Sequence, residues 1–397
     1  MTRAILHIGI EKTGTSTLQK FLHKNREALD GLGVRYPVFP GQVNQTLLTA
    51  YAAEPERQAR FLAGIGVFDA AEHAEFRAEF ATRAAAEVAA YPDHLFVFSN
   101  EHLSSQLTSA AEIARLHGLL APLFEEIAVA VYLRRQDRLA MSLYSTQVRL
   151  GADWPPRFPL PQTQPAFFDF ARLLELWAGG FGDAALHPAI FDPATLANGS
   201  VIDDFCNRWA IAGPLTQVAN ENEALSHPAQ DFLCRFNRAV GALDPEFNAR
   251  ARGEIGDILS KRFSGRGPRP ARAEAEAFLA RFAESNEACR AKWFPEREAL
   301  FDPGFDDLPE REVASGLDLD RAMDMTADLV HALFAAKTEA EHRGLMRAGE
   351  LAEHKGDAVA AERFYRRAAK LETERSEARS KLAALRGRKA TAGASSL

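Results

Sequence analysis

The chain has 397 residues, 47% of them hydrophobic and 25% charged, enough for one large or two ordinary domains with a substantial core. Lys plus Arg number 47 against 54 Asp plus Glu, a net charge of -7, which argues against a general nucleic-acid binder while leaving room for a local basic cleft. The three cysteines, Cys206, Cys234 and Cys289, are far apart with no CxxC spacing, so they read as free thiols of a reducing compartment, and no metal site is legible.

In chain order, apolar runs at residues 4–8, 95–98, 127–133 and 185–190 read as strands. Residues 15–23 and 72–90 have helical periodicity. Unalternating apolar strands separated by helices predict an α/β fold, a central parallel sheet flanked by helices. The first strand begins with no room for a leader, and no apolar run approaches the roughly 18 residues of a membrane span. A soluble, cytoplasmic protein without a transmembrane segment is expected. Ligands of such sheets bind beyond the carboxyl ends of the strands. Polar residues stand there each time: Glu11-Lys12-Thr13, then Ser99-Asn100-Glu101-His102, then Arg134-Arg135-Gln136-Asp137. These three clusters are expected to meet at one edge.

Residues 154–165 hold five of the twenty prolines and read as an irregular loop. Residues 166–335 are mostly helical, interrupted by a basic glycine-rich loop, "SGRGPRP", at 264–270. After about Thr338 the composition shifts to Ala, Glu, Arg and Lys. There Gly349, Gly356-Asp357, Ala361, Tyr365 and Ala368 fall at offsets that resemble a tetratricopeptide repeat, with Leu345 and Thr373 at its tryptophan-like and proline positions. A plain amphipathic hairpin accounts for the same pattern. A helix over 376–385 follows. One repeat cannot bury its own face, so packing on the main domain, self-association or a protein partner is expected. The expected division is an α/β domain over 1–335, a repeat-like helical segment over 338–388 and a disordered tail over 389–397.

The stretch "HIGIEKTGTSTLQKFL", residues 7–22, runs from a strand through a glycine and a polar loop into a helix. A nucleoside-triphosphate loop places lysine after its second glycine; here Thr15 follows Gly14, and the lysine is Lys12, inside the loop. Gly14 can take positive φ, turning the N–H groups of residues 13–17 inward where the helix adds partial positive charge. Thr15, Ser16 and Thr17 add hydroxyls. This is a phosphate-sized nest. Ordinary helix capping explains the threonines but not a lysine between two glycines.

In "VAVYLRRQDRLAMSLYSTQVRLG", residues 129–151, Arg134 follows the strand and Ser142 comes eight residues later. An arginine at a strand end with a hydroxyl from the next helix suits a terminal phosphate monoester. Arg138, Ser142, Thr146 and Arg149 share one helical face. Arg138 and Arg149 read as a solvated stripe, with Asp137 capping the helix.

Together the two elements resemble the sulfotransferase family. "KTGTST" is similar to that family's 5′-phosphosulfate loop, and "LRRQDRLAMS" to its 3′-phosphate element, with Gln136 where many members have proline. "SNEHLS", "LLELWAGGFGDAAL", "IDDFCNRW" and "RFAESNEACRAKWFP" extend the resemblance over roughly residues 3–305. It implies a P-loop-like fold and transfer of a sulfuryl group from 3′-phosphoadenosine 5′-phosphosulfate (PAPS) to a hydroxyl or amine, without a metal. The cofactor would lie against Lys12, Thr13, Gly14, Thr15, Ser16, Thr17, Arg134 and Ser142, with the 264–266 loop as a further contact. Lys12 would stabilise the leaving oxygen. Glycan sulfotransferases use a glutamate base and small-molecule ones a histidine, which makes Glu101 the candidate and His102 the reserve. As structural residues, Glu101 would cap the next segment or bind Arg134, and His102 would be a core histidine. A carbohydrate acceptor is expected, near Asn44 and residues 154–165. Competing readings are a P-loop kinase or nucleotide hydrolase, and a non-catalytic adaptor acting through its C-terminal helices.

Overall fold

The computed structural model describes residues 2–55, 61–155, 165–218, 224–243, 249–302, 304–371 and 377–394. Contacts divide them into two units. The first comprises residues 1–148, 152–224 and 265–315. The second comprises 149–151, 225–264 and 316–397.

The first unit is built on five strands: β1 (Arg3–His7), β2 (Val34–Arg35), β3 (Leu95–Ser99), β4 (Glu126–Leu133) and β5 (Leu186–Ile190). They form one sheet in the order β2-β3-β1-β4-β5, with every pairing parallel. His7 lies opposite both Ser99 and Ala130, which aligns the carboxyl ends of the three central strands. The order also fixes where a ligand fits. The chain leaves β1 toward β2 and leaves β4 toward β5, so the loops after these adjacent strands diverge and open a crevice between them.

Strand β2 is an edge strand of two residues that the apolar pattern does not reveal. The other four strands stand where expected, with shifts of a residue or two at their ends. Among the helices are α1 (Thr15–Lys24), α2 (Ala110–Leu120), α3 (Gln136–Arg149), α4 (Phe170–Phe181) and α5 (Val201–Arg208). The expected helix at 72–90 is present as Ala70–Ala90, and Asp69 caps it by accepting from the Glu72 N–H.

Alternate strand residues enter one core. Ile5, Val97, Ala130, Tyr132 and Ala189 pack with Leu18, Phe21 and Leu22 of α1 and with Val201, Ile202 and Phe205 of α5. Each large apolar side chain buried there contributes roughly 1.5–3 kcal/mol, so α1, whose N-terminus forms the nest, is held by its own apolar face.

In the second unit, α6 (His227–Leu243) and α7 (Ala249–Arg262) associate with α8 (Leu319–His354), a helix of 36 residues carrying the buried Met325 and Leu329. Helices α8, α9 (Ala358–Leu371) and α10 (Glu377–Ala394) share a second core. Leu345, Ala361, Tyr365 and Ala368 lie in it, and a Cβ on Gly349 would strike the Tyr365 ring. The offsets singled out in the sequence are therefore interface positions of this hairpin, with Gly356 at φ 77 in its turn. Thr373 lies outside the described residues. Two expectations are adjusted. Residues 225–264 group with the C-terminal helices, because α8 begins at 319 and continues unbroken through the expected boundary at 335. The last helix runs on to Ala394 rather than stopping near 385, through a stretch rich in helix-forming Ala, Arg and Lys. No helix among the described residues is long and apolar enough to cross a membrane.

Candidate functional site

The loop between β1 and α1 is shaped by three residues with positive φ: Gly9 (101°), Lys12 (67°) and Gly14 (78°). For the two glycines this conformation is unstrained. For Lys12 it costs on the order of 1 kcal/mol, which neighbouring contacts must offset. Space is also tight: a Cβ on Gly14 would come within 2.9 Å of Val201 Cγ1, and one on Gly9 within 3.1 Å of the Glu101 Cα and Cβ. The Thr13 hydroxyl donates to the Ile10 carbonyl at 2.6 Å, closing the loop from inside. Gly14 is the N-cap of α1 and has no side chain to cap it; its carbonyl accepts from the Thr17 and Leu18 N–H groups, so the first-turn donors left at the loop are those of Thr15 and Ser16. Thr15 is buried, Thr17 half-buried and Ser16 exposed.

Arg134 enters from the end of β4. Its Nη1 donates to the Lys12 carbonyl at 2.7 Å, which fixes the left-handed residue and spans the crevice between β1 and β4. Its guanidinium lies 5.6 Å from the centre of the Phe191 ring. Burial, and then the charge of Arg138, pull its pKa down to about 10. Among the described residues no carboxylate lies within ion-pair distance of Arg134, whereas both neighbouring arginines have one. Arg135, 6% exposed, grips Asp137 through Nε and Nη2 at 2.8 and 2.9 Å and donates to the carbonyls of Asp302 and Gly304, each at 2.7 Å. Arg138 pairs with Asp192 at 3.1 Å and Arg149 with Asp257. The expected solvated stripe on α3 is thus a set of ion pairs, and Asp137 serves Arg135 rather than the helix end. Ser142 is half-buried on α3, its carbonyl accepting from the Thr146 hydroxyl, and among the described residues no hydrogen bond joins it to Arg134.

The end of β3 supplies the two candidate bases. Glu101 is half-buried; Gln19 Nε2 donates to its Oε2 at 2.7 Å and Asn44 Nδ2 to its Oε1 at 3.4 Å. It is the N-cap residue of the following helix, but its side chain makes no capping hydrogen bond and does not reach Arg134. His102 turns instead to Glu11, with Nδ1 3.8 Å from Oε1. Glu11 and then Glu101 push the His102 pKa up against the opposing effect of burial. Burial opposes the charge on Glu11, but His102, Ser105 and Lys12 outweigh it and lower its pKa. The structure thus gathers Lys12, Glu101, His102 and Arg134 at one sheet edge. The 264–266 loop falls at the boundary between the units, and 156–164, most of the expected acceptor loop, lie outside the described residues.

Three residues of this edge are given no role by the motif reading. Gln19, 2% exposed, is a polar residue among the apolar positions Leu18, Phe21 and Leu22 of α1, and that interruption is the signal that could have found it. Asn100 is fully buried and joins the edge by donating to Asn44 Oδ1 and accepting from the Thr49 hydroxyl and the His102 N–H. His7 on β1, also fully buried, meets the Ser99 hydroxyl at 2.8 Å, and burial holds its pKa down at about 4. Among the described residues no group of three or more His, Cys, Asp or Glu is placed to hold a metal ion. Comparison of the chain with protein-family models, curated proteins and solved structures finds no match.

Proposed function

We propose that this chain is a sulfotransferase that moves a sulfuryl group from PAPS to a hydroxyl or amine acceptor, with a carbohydrate as the favoured acceptor and the cytoplasm as its place of action. The observation that carries the reading is Arg134: a half-buried guanidinium anchored to the lysine loop, with no carboxylate within ion-pair distance among the described residues, at the switch point of a parallel sheet. Such a charge is made favourable by a bound anion. An uncapped helix N-terminus and a loop too tight for side chains at Gly9 and Gly14 supply a second anion subsite close by. Two anion subsites suit a nucleotide phosphorylated at both its 3′ and 5′ ends.

PAPS, when bound, supplies an activated sulfuryl group on an excellent leaving group. Lys12 stabilises charge on the leaving oxygen, and Glu101 takes the acceptor's proton as the new O–S or N–S bond forms. Glu101 is preferred to His102 on the resemblance to glycan sulfotransferases, which use a glutamate. Asn44, beside Glu101, contacts the acceptor. The kinase or hydrolase reading lacks the lysine after Gly14. A role for the C-terminal helices in binding a protein or a second copy of the chain, alongside catalysis, rests on their resemblance to a tetratricopeptide repeat alone, because the offset positions are buried within the helices themselves.

Titration calorimetry with 3′-phosphoadenosine 5′-phosphate (PAP), ADP and AMP tests the reading. PAP is expected to bind at least tenfold more tightly than either; equal affinities, or a preference for ADP, overturn it.

A further inference from the structure

The two polar contacts on Glu101 differ in kind. Gln19 Nε2 donates to Oε2 at 2.7 Å and also reaches the Ser99 carbonyl at 3.4 Å. Both neighbours are acceptors only, so the amide nitrogen must face them and the orientation of Gln19 is settled by chemistry. Gln19 lies one turn after Thr15 on α1, the helix that opens the nest, and it is almost fully buried. Asn44 approaches Oε1 at 3.4 Å, near the limit of a hydrogen bond. Asn44 is itself held, by the Thr46 hydroxyl at 2.9 Å and by the Asn100 amide. One carboxylate oxygen is therefore firmly anchored and the other loosely held.

We infer that Gln19 is the positioning residue for Glu101: it ties Oε2 to the anion-binding helix and leaves Oε1 as the atom that accepts the acceptor's proton. Helix α1 then carries both the first-turn donors that face the donor anion and the group that aims the base, fixing their separation within one rigid element. This inference rests on the sulfotransferase reading.

Hydrolysis of PAPS provides a test without knowledge of the natural acceptor, because water then stands in the acceptor position. An O–S bond forms from water, the bond from sulfur to the bridging oxygen breaks, the proton goes to Glu101, and the products are sulfate and PAP. Gln19→Met keeps the volume and helix propensity of Gln19 but removes its donor. It is expected to lower the kcat of this reaction about tenfold or more while leaving KM for PAPS and the calorimetric affinity for PAP within about twofold, the pattern of a lost transition-state effect. Asn44→Ala, a change outside the core of α1, is expected to cost less. In the Glu101→Gln background, Gln19→Met is expected to cost nothing further, since a residue acting through Glu101 has nothing left to position. If Gln19→Met lowers kcat by the same factor with and without Glu101, or leaves kcat unchanged while Glu101→Gln lowers it, the positioning role is wrong and the donor reading stands. If Glu101→Gln hydrolyses PAPS at the normal rate, the base assignment falls and the positioning role with it. If wild-type protein does not prefer PAP, the sulfotransferase reading itself fails.

Discussion

Lys12, Arg134 and Arg135 show how much adjacent charges can differ. Lys12→Ala is expected to lower turnover by about 10²–10³-fold, the scale of one lost electrostatic contact in the transition state, with a smaller loss in PAP affinity. Arg134→Gln should weaken PAP by roughly 10- to 100-fold and leave AMP, which lacks the 3′-phosphate, much less affected. Equal weakening of both nucleotides in calorimetry would make Arg134 a loop support only, through its bond to the Lys12 carbonyl. Arg135→Ala should behave otherwise: it strands Asp137, which is 3% exposed, and is expected to cost on the order of 3–5 kcal/mol of stability in urea unfolding. His7 offers a pH test. Its pKa is about 4 in the folded protein against 6.5 in the unfolded chain, so the unfolded chain binds the extra proton as pH falls through this window. Its contribution is fully present above pH 6.5 and is lost on the way to pH 4, by about 3 kcal/mol in all. His7→Gln, which cannot titrate, should flatten that part of the profile of urea midpoints against pH. An unchanged profile would place the acid sensitivity elsewhere.

At the scale of elements, four of the five strands were readable because a strand buried on both faces in a parallel sheet is an unbroken apolar run. Strand β2 has only Val34 and Arg35 to show, too few to display any period. The convergence of Lys12, Glu101 and Arg134 was also readable, since parallel pairing brings every carboxyl end to the same edge. What separates Arg134 from Arg135 was not, because it depends on which of the two turns to Asp137 and on carbonyls at 302 and 304, more than 160 positions away. Gln19 was missed for a similar reason: its partner Glu101 lies just past the end of β3, and a helix period reports only that the position is buried. Gly14→Ala tests the junction of loop and helix. The new methyl group would meet Val201 at a backbone angle that favours glycine, so roughly 1–3 kcal/mol of stability should be lost in thermal or urea unfolding, together with PAP affinity. Full retention of both would show that α5 yields at no cost.

Across the whole molecule, the two units are not consecutive pieces of chain. Met325 and Leu329 are buried in the part of α8 that meets α6 and α7, upstream of the expected boundary at 335. A chain ending at residue 315 therefore removes the helix against which α6 and α7 pack. It is expected to bind a hydrophobic dye and to aggregate on size-exclusion chromatography. A chain ending at 335 keeps that segment and is expected to melt cooperatively. Identical behaviour of the two truncations would mean that α6 and α7 need nothing from α8.

The interleaving of the units also sets a timetable for synthesis. All five strands have been synthesised by residue 190, yet Arg135 gains its last acceptors only with the carbonyls at 302 and 304, and Gln136 its side-chain partner only with Asn286. At roughly 5–20 residues per second, the sheet waits several seconds with hydrogen-bond donors of Arg135 and Gln136 at its edge lacking their late partners. The helices over 227–262 wait in turn for α8, which starts at 319. A nascent chain stalled before residue 300 should therefore be protease-sensitive throughout, and resistance should appear late and in two closely spaced steps.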